Sequence, residues 1–370
     1  MIKIYFLLRL YQNKFAGKQK IFRGSVAFIF IFMEGRNKKI AFLFGHIVFI
    51  LLVIFLAWSY VESKTGQLEK DAPKTQEVRE SGYQLVSPLL ECNVNGESAL
   101  KKYVPFESKL KDQIKEEIID KNSDIHLAVY FRNLNNGPWF GINEGDDFAP
   151  ASLLKVPLMI AYLKMSEQDP GVLTKTITYD ASQGDTVSQD IPPKEPLVSG
   201  ELYTVEDLIN RMIIYSDNQA MQLLVKNISA DQFNKTYVDL GVVVPDAQSP
   251  TNFMSVKDYA SFFRVLYNVA YLNKDTSEKA MEILAKSDYK DGLVAGVDSG
   301  VTIAHKFGER DLDENGVAEK QLHDCGVVYY TKYPYLLCVM TKGNDFQKLS
   351  SVIAQTSGIV FDEIKKDFPQ

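Results

Sequence analysis

The sequence predicts an α/β protein of the α+β kind, with an antiparallel sheet made from both chain ends and an all-helical subdomain inserted between them. Three observations carry this. Strand-like runs occur at "IHLAVYFR" and again near the far end at "VTIAHKF", "CGVVYY" and "YPYLLCVM". Between them lie helical periodicities and capping signals, as in "TVEDLINRMIIY" and "SVKDYASFFRVLYNVAY". A last helical pattern over residues 344–366 closes the chain.

The N-terminal part is of another kind. Before residue 40 there are nine Lys/Arg and one acid, Glu34, and from there on 32 basic residues stand against 46 acidic ones. An acidic main domain argues against a nucleic-acid partner. Residues 40–61, "IAFLFGHIVFILLVIFLAWSYV", carry no Asp, Glu, Lys or Arg, and a run of this length can cross a bilayer. "RNKK" before it sets the N-terminal side in the cytoplasm. Two other readings rank lower. The run is too long for a signal-peptide core and no A-x-A site follows, and no polar face marks it as a core helix.

The expected organisation is a basic cytoplasmic segment over 1–39, a transmembrane helix over 40–61, a polar linker over 62–95 and the main domain over 96–370. Met33 is an alternative start that would leave residues 1–32 untranslated. The expected location is the plasma membrane, crossed once, with the C-terminal domain outside.

Within the main domain, Phe106, Leu110, Ile114 and Ile118 recur every four residues, which predicts an amphipathic helix over 106–121. "NNG" is a turn signal between "IHLAVYFR" and "PWFGIN", so these read as a hairpin. Residues 168–200 are rich in Pro, Gly and Asp and read as mostly loop. Thr204 to Asp207 resembles a capping box, and "SDN" breaks the helical pattern before "QAMQLLVKNI". Cys325 and Cys338 lie in two strand-like runs; a disulfide across the hairpin and a pair of buried thiols both fit.

For chemistry, the stretch "APASLLKVPL" stands out, because an unpaired buried ammonium is costly and Lys155 sits in an apolar run. Ser152 is three residues before it, which puts both on one helix face. In the first helical turn the serine would have the helix dipole beside a developing negative charge. A lysine whose pKa is lowered by burial or a neighbouring cation can accept its proton. S-x-x-K also occurs at Ser108–Lys111 and Ser287–Lys290, so spacing alone does not choose among them. Other catalytic sets lack support. The four histidines are scattered, and there is no G-x-S-x-G, no zinc-ligand spacing, no Walker motif and no dinucleotide-binding glycine pattern. No cofactor or metal is expected.

Order decides. Ser152 is followed by Ser216-Asp217-Asn218 and then by Lys306-Phe307-Gly308 on a strand-like run. This series resembles the class A β-lactamase and penicillin-binding protein superfamily, whose motif set is S-x-x-K, S-D-N and K-T-G. The resemblance covers roughly residues 96–370. It implies a β-lactamase/transpeptidase-like fold and a role for each residue. Ser152 would be the nucleophile, Lys155 its base, and Ser216 the relay towards the leaving nitrogen. Asn218 would bind the acyl side chain and hold the lysine, and Lys306 would supply positive potential near the substrate carboxylate. The N–H groups of Ser152 and Glu309, beside Gly308, would form the oxyanion hole, worth ~3 kcal/mol per donor. A literal K-T-G at Lys64–Gly66 lies upstream of the serine with no strand around it and is set aside.

Two departures from the family pattern matter. Phe307 stands where the family has a hydroxyl residue. The stretch "YVDLGVVVPDAQSPTNFMS" lacks the glutamate that in class A enzymes activates the deacylating water. Asp246 is the acid in its "VVPDAQSP" part, and a Pro-flanked aspartate is usually a turn former. The expected function is therefore a membrane-anchored serine acyl-transfer hydrolase. Its substrate would be a small-molecule β-lactam or a D-Ala-type peptidoglycan peptide, with slow deacylation. The rivals are a non-catalytic cell-wall-binding module of the same fold and a membrane-tethered interaction protein with accidental motifs.

Overall fold

The computed structural model describes residues 51–53, 55, 76–93, 105–135, 139–183, 192–245, 251–314, 317–331 and 333–368. The chain divides into two units, 1–72 and 73–370, and the second holds the features below. Among the described residues no helix is long and apolar enough to cross a membrane. Of the run 40–61 only residues 51–53 and 55, all helical, are described; the rest of that run and the Lys64–Gly66 triplet lie outside the described residues.

The central sheet has five strands, all neighbours antiparallel, with the two strands from early in the domain at one side and the three late ones at the other. Two further antiparallel pairs lie apart from it, β5 (Asp147–Phe148) with β8 (Met254–Ser255) and β6 (Thr176–Thr178) with β7 (Leu202–Thr204). β3 (His126–Asn133) and β4 (Trp139–Ile142) come from the first part of the domain. β9 (Thr302–Glu314), β10 (Val317–Tyr329) and β11 (Tyr335–Gly343) come from the last. The sheet is thus built from both ends of the domain, as the sequence predicts.

Alternation along the strands separates two cores. Leu337 and Val339 face one side with Leu110 and Ile114 of α1 (Pro105–Ile114) and Val352 and Ile353 of α9 (Phe346–Asp367). Cys338 and Met340 face the other, where they meet the inserted helices. Those helices are α2 (Lys155–Ser166), α3 (Gly171–Thr174), α4 (Val205–Ile214), α5 (Asn218–Lys226), α6 (Ala230–Leu240), α7 (Val256–Tyr267) and α8 (Lys274–Ala285). Helix α2 is buried from Lys155 to Leu163, as a helix apolar on every side must be. The helix expected over 106–121 keeps its four-residue spacing but ends in a π-helical turn, Lys115–Ile119, which still buries Ile118.

Caps explain several boundaries. The Thr204 hydroxyl accepts from Asp207 N at 3.0 Å to start α4. Asp217 accepts from Gln219 N and Ala220 N to start α5. Cys325 and Cys338 are direct partners across β10 and β11 and are disulfide-bonded.

The linker expected over 62–95 differs from the structure in its second half. β1 (Gln76–Arg79) and β2 (Leu89–Asn93) pair antiparallel, and the segment between them packs on the domain with Leu85 and Val86 buried. The Glu278 carboxylate accepts from three successive amides, Gln84, Leu85 and Val86, at 2.9–3.1 Å. Tyr329 donates to Leu85 O at 2.6 Å, and Arg79 donates to Ser87 O and Asn268 Oδ1. The attachment is made mostly through backbone, so it leaves no hydrophobic period in the sequence.

Candidate active site

Ser152 lies in a 3-10 turn, Ala151–Leu154, that runs straight into α2, rather than in the first turn of the α-helix itself. The tight turn places Ala151 at φ 48°, a left-handed conformation that a non-glycine residue adopts at a cost. The turn is held from three directions. Gln321 accepts from Ala149 N at 2.9 Å, and the His323 Nε2–H donates to Ala149 O at 3.0 Å. Tyr259 donates to Leu153 O at 3.1 Å. On the open side runs β9. A Cβ on Gly308 would come within 3.0–3.1 Å of Pro150 O, Leu153 N and the Leu153 side chain. Glycine is needed at 308 so that the Gly308–Glu309 backbone can lie against the nucleophile turn.

Lys155 heads α2 and is fully buried, whereas Ser152 is half-buried. The Lys155 ammonium reaches Ser152 Oγ at 2.8 Å, Ser216 O at 2.6 Å, Ser216 Oγ at 3.0 Å and Asn218 Oδ1 at 2.7 Å. This accounts for a lysine in an apolar run: burial removes its water, and four oxygens replace it. Ser216 occupies the break between α4 and α5 at φ 56°, the turn that aims both its hydroxyl and its carbonyl at Lys155. Lys306, on the face of β9 towards the inserted helices, donates to Ser216 Oγ and to Phe307 O, both at 2.9 Å. Ser216 thus links two buried lysines.

Electrostatics follow from this burial. Desolvation pushes Lys155 down to about 7, against the opposing pull of Asp217 and Glu309. Desolvation first, and then Lys155, push Lys306 well below its ordinary range. Two ammonium groups on one hydroxyl repel, so loss of a proton from one is favoured. Burial also lowers His323, to about 4, which keeps it a neutral donor to Ala149 O. Burial raises Asp217, while the two α5 amides it caps pull the other way.

The seven residues singled out from sequence therefore converge: Ser152, Lys155, Ser216, Asn218 and Lys306 in one hydrogen-bonded group, with Gly308 and Glu309 beside it. The two competing pairs do not resemble it. Lys111 is exposed, and Lys290 donates to Ser287 O rather than to the serine hydroxyl. Phe307 is buried and stacked on Tyr289, centroids 4.2 Å apart. Asp246 lies outside the described residues. Gln321, His323 and Tyr259 were not anticipated. The available signal was "QLHDC", where Gln321, His323 and Cys325 alternate on one face of a strand otherwise expected to be apolar there. Among the described residues no His/Cys/Asp/Glu group has the geometry to hold a metal.

An antiparallel sheet flanked by helices, with serine and lysine on a turn entering a buried helix and a second lysine on the edge strand, defines a serine-reactive enzyme class of the β-lactamase/transpeptidase type. The sequence model of the β-lactamase enzyme family matches residues 109–364, more than half of the chain, and the chain belongs to that family. A curated relative, β-lactamase VEB-1 of Pseudomonas aeruginosa, is 24% identical over 225 residues, covering 56% of this chain and 73% of its own. Among solved structures, a class A β-lactamase from Bacteroides cellulosilyticus matches with TM-score 0.61 and 18% identity, over 71% of this chain and 99% of its own. PBP-A, as the L158E mutant in an acyl-enzyme complex with penicillin G, matches with TM-score 0.59 and 23% identity, over 71% of this chain and all of its own. At these identities the solved structures establish the fold. Family membership implies serine hydrolase chemistry in general.

Proposed function

We propose that this chain is a membrane-anchored serine acyl-transfer hydrolase that faces the cell wall and works through an acyl-serine. Its substrates are β-lactams or D-Ala-type peptides, which share an amide beside a carboxylate. The observation that carries this reading is the Lys155 ammonium bridging Ser152 Oγ, Ser216 Oγ and Asn218 Oδ1 within 3.0 Å.

Neutral Lys155 takes the Ser152 proton as Oγ attacks the carbonyl carbon. The oxyanion forms between the N–H groups of Ser152 and Glu309. As the C–N bond breaks, the Ser216 hydroxyl gives its proton to the leaving nitrogen and is reprotonated from a lysine. A water then attacks the acyl carbon, and Ser152 regains its proton. In sequence the loop after α6, residues 241–253, has no glutamate to activate that water, and its acid is the Pro-flanked Asp246, so the acyl-enzyme is expected to be long-lived. The L158E mutant of PBP-A, with a similar fold, has been captured as a penicillin G acyl-enzyme.

Fluorescent penicillin tests the reading: the full chain should label and Ser152→Ala should not, and equal labelling of both would refute it. The anchor is tested separately. Protease added outside intact cells should release the domain, and protection in cells shown to admit the protease would refute this topology.

A further inference from the structure

A cavity of about 290 Å³ opens beside the reacting group, bounded by Tyr215, which precedes Ser216, and by Phe307, which follows Lys306. In the acyl-transfer reading, on which this inference rests, Ser216 delivers the proton to the departing group. The Lys306 ammonium lies 4.1 Å from the centre of the Phe307 ring and donates to Ser216 Oγ at 2.9 Å, so the cavity wall adjoins the proton-delivering pair, on which the departing half of the substrate must lie.

Its walls differ from what carboxylate recognition by a strand hydroxyl would need. Phe307 offers no hydrogen bond, and its ring is fixed on Tyr289 at 4.2 Å with 20° between the planes. Both rings are nearly buried and the Lys306 ammonium lies over the Phe307 ring at 4.1 Å, so the pair is a fixed aromatic wall. The charges are on the rim. Lys194 is neutralised by Asp288 at 2.8 Å, and Asp291 and Lys290 complete the set. Lys290 is exposed and spends one N–H on Ser287 O at 2.6 Å. An ammonium has three donors, so it can also bind a carboxylate. The rim thus carries both signs beside an apolar wall.

We infer that this cavity is a leaving-group subsite for an amino acid with a large apolar side chain, whose carboxylate meets Lys290 and whose side chain lies on the Phe307–Tyr289 pair. In the D-Ala-type peptides of that reading D-Ala is then the acyl residue, and the leaving residue the cavity selects is bulkier than alanine. The substrate class is accordingly a peptide or depsipeptide ending in an aromatic or long aliphatic residue.

The test uses the full chain and three esters with one common acyl half, leaving D-lactate, D-phenyllactate or the carboxylate-free 2-phenylethanol. Second-order acylation of Ser152 is followed by mass spectrometry. D-phenyllactate should react about tenfold or more faster than D-lactate, the scale of filling an apolar pocket. Phe307→Thr should bring that ratio close to one. Lys290→Met, at an exposed site, should remove the preference of D-phenyllactate over 2-phenylethanol. Equal rates for the two carboxylate esters, or ratios unmoved by both variants, would overturn the subsite. If no ester acylates Ser152, the acyl-transfer reading fails by itself, and calorimetric titration with D-phenyllactate then judges the cavity. Binding that Lys290→Met weakens supports the subsite, and absence of binding overturns it.

Discussion

Two sides of the nucleophile are built differently. Towards Ser216 and Lys306 the reacting groups are densely paired: Lys155 meets four oxygens, Lys306 two, and the Ser152 turn is clamped through Ala149 and Leu153. Towards the loop after α6, the described contacts to the clamp are made by one amide, Gln321 Nε2, which donates to Asn252 Oδ1 at 2.9 Å and to the Glu319 carboxylate at 2.7 Å. Ordered donors and acceptors cost nothing to reorganise during reaction, so the first side favours bond formation to Ser152. Among the described residues of the second side, the carboxylate bonded to the clamp, Glu319, is already engaged by the Gln321 amide, a sparser arrangement for the water that must break that bond. The difference points to an enzyme better equipped to be acylated than to be released.

The sharpest way to break this comparison is to remove the first side. Ser152→Ala removes the oxygen that is acylated and should abolish the adduct, and Lys155→Met, which removes the nucleophile's partner, should lower acylation about 10⁴-fold. Peptide mapping after β-lactam treatment should find the adduct on Ser152, and an adduct on Ser108 or Ser287 would contradict the assignment. Next comes the imbalance itself. General-base assistance is typically worth ~10²- to 10⁴-fold, so deacylation should lag acylation by a margin of that order. Burst kinetics with a penicillin should show one fast equivalent and an adduct that persists for minutes. Fast turnover with no accumulating adduct would mean that a group in residues 240–253, Asp246 first, supplies the base.

A pH profile separates the sides further. Acylation needs neutral Lys155, so its rate should rise through about pH 7. Glu309→Gln removes a charge that holds the proton on Lys155, so the rising limb should move to lower pH. The stability sign is fixed too. The folded pKa lies below the unfolded one, near 10.5, so the unfolded chain binds the extra proton between about 7 and 10.5. The cost of burying Lys155 is therefore full below pH 7 and relieved as pH rises through that window. Thermal melts of the wild type against Lys155→Met should diverge with that slope.

How much of this was legible in the sequence depended on where each signal lies. The five converging hydrogen-bonded residues were readable because each marks a break in an otherwise regular pattern: a lysine in an apolar helix, "SDN" between helices, a lysine and glycine in a strand. The clamp was not readable. Gln321, His323 and Tyr259 bind backbone atoms of residues at least a hundred positions away, and only folding brings those together. The 3-10 geometry at Ser152 was also hidden, because it depends on the strained Ala151 and on β9 crossing at Gly308. Linker and packed strap look alike in composition, and residues 76–93 are fixed mainly by a carboxylate nearly two hundred positions along the chain.

The clamp predicts an intermediate effect. Gln321→Leu leaves the buried Ala149 N–H without its acceptor, a loss of roughly 1–3 kcal/mol in stability. A turn displaced by a fraction of an ångström should also slow acylation about 10- to 10²-fold. For His323, held neutral with a pKa of about 4, the sign differs from a stabilising ion pair. The unfolded chain binds its proton first, from about pH 6.5 downwards, so stability falls as pH drops from there to about 4. His323→Gln should flatten that part of the melting profile, and an unchanged slope would place the acid sensitivity elsewhere.

The smallest effect should come from the strap, and it tests whether the first side is self-contained. Glu278 accepts from the amides of Gln84, Leu85 and Val86, and Leu85 and Val86 are buried beneath that contact. Glu278→Ala leaves three N–H groups to find water at a partly covered site, at a cost of about 1–2 kcal/mol. For a domain of this size that is a fall in Tm of roughly 2–6 °C. None of the strap's described hydrogen bonds reaches Ser152, Lys155, Ser216 or Lys306, so the acylation rate below the melting range should stay at the wild-type value. Proteolysis should open the segment 76–93 first in this variant. A loss of acylation comparable to that of Gln321→Leu would show that the strap helps to hold the nucleophile turn, and the division between a self-contained acylation side and its surroundings would have to be redrawn.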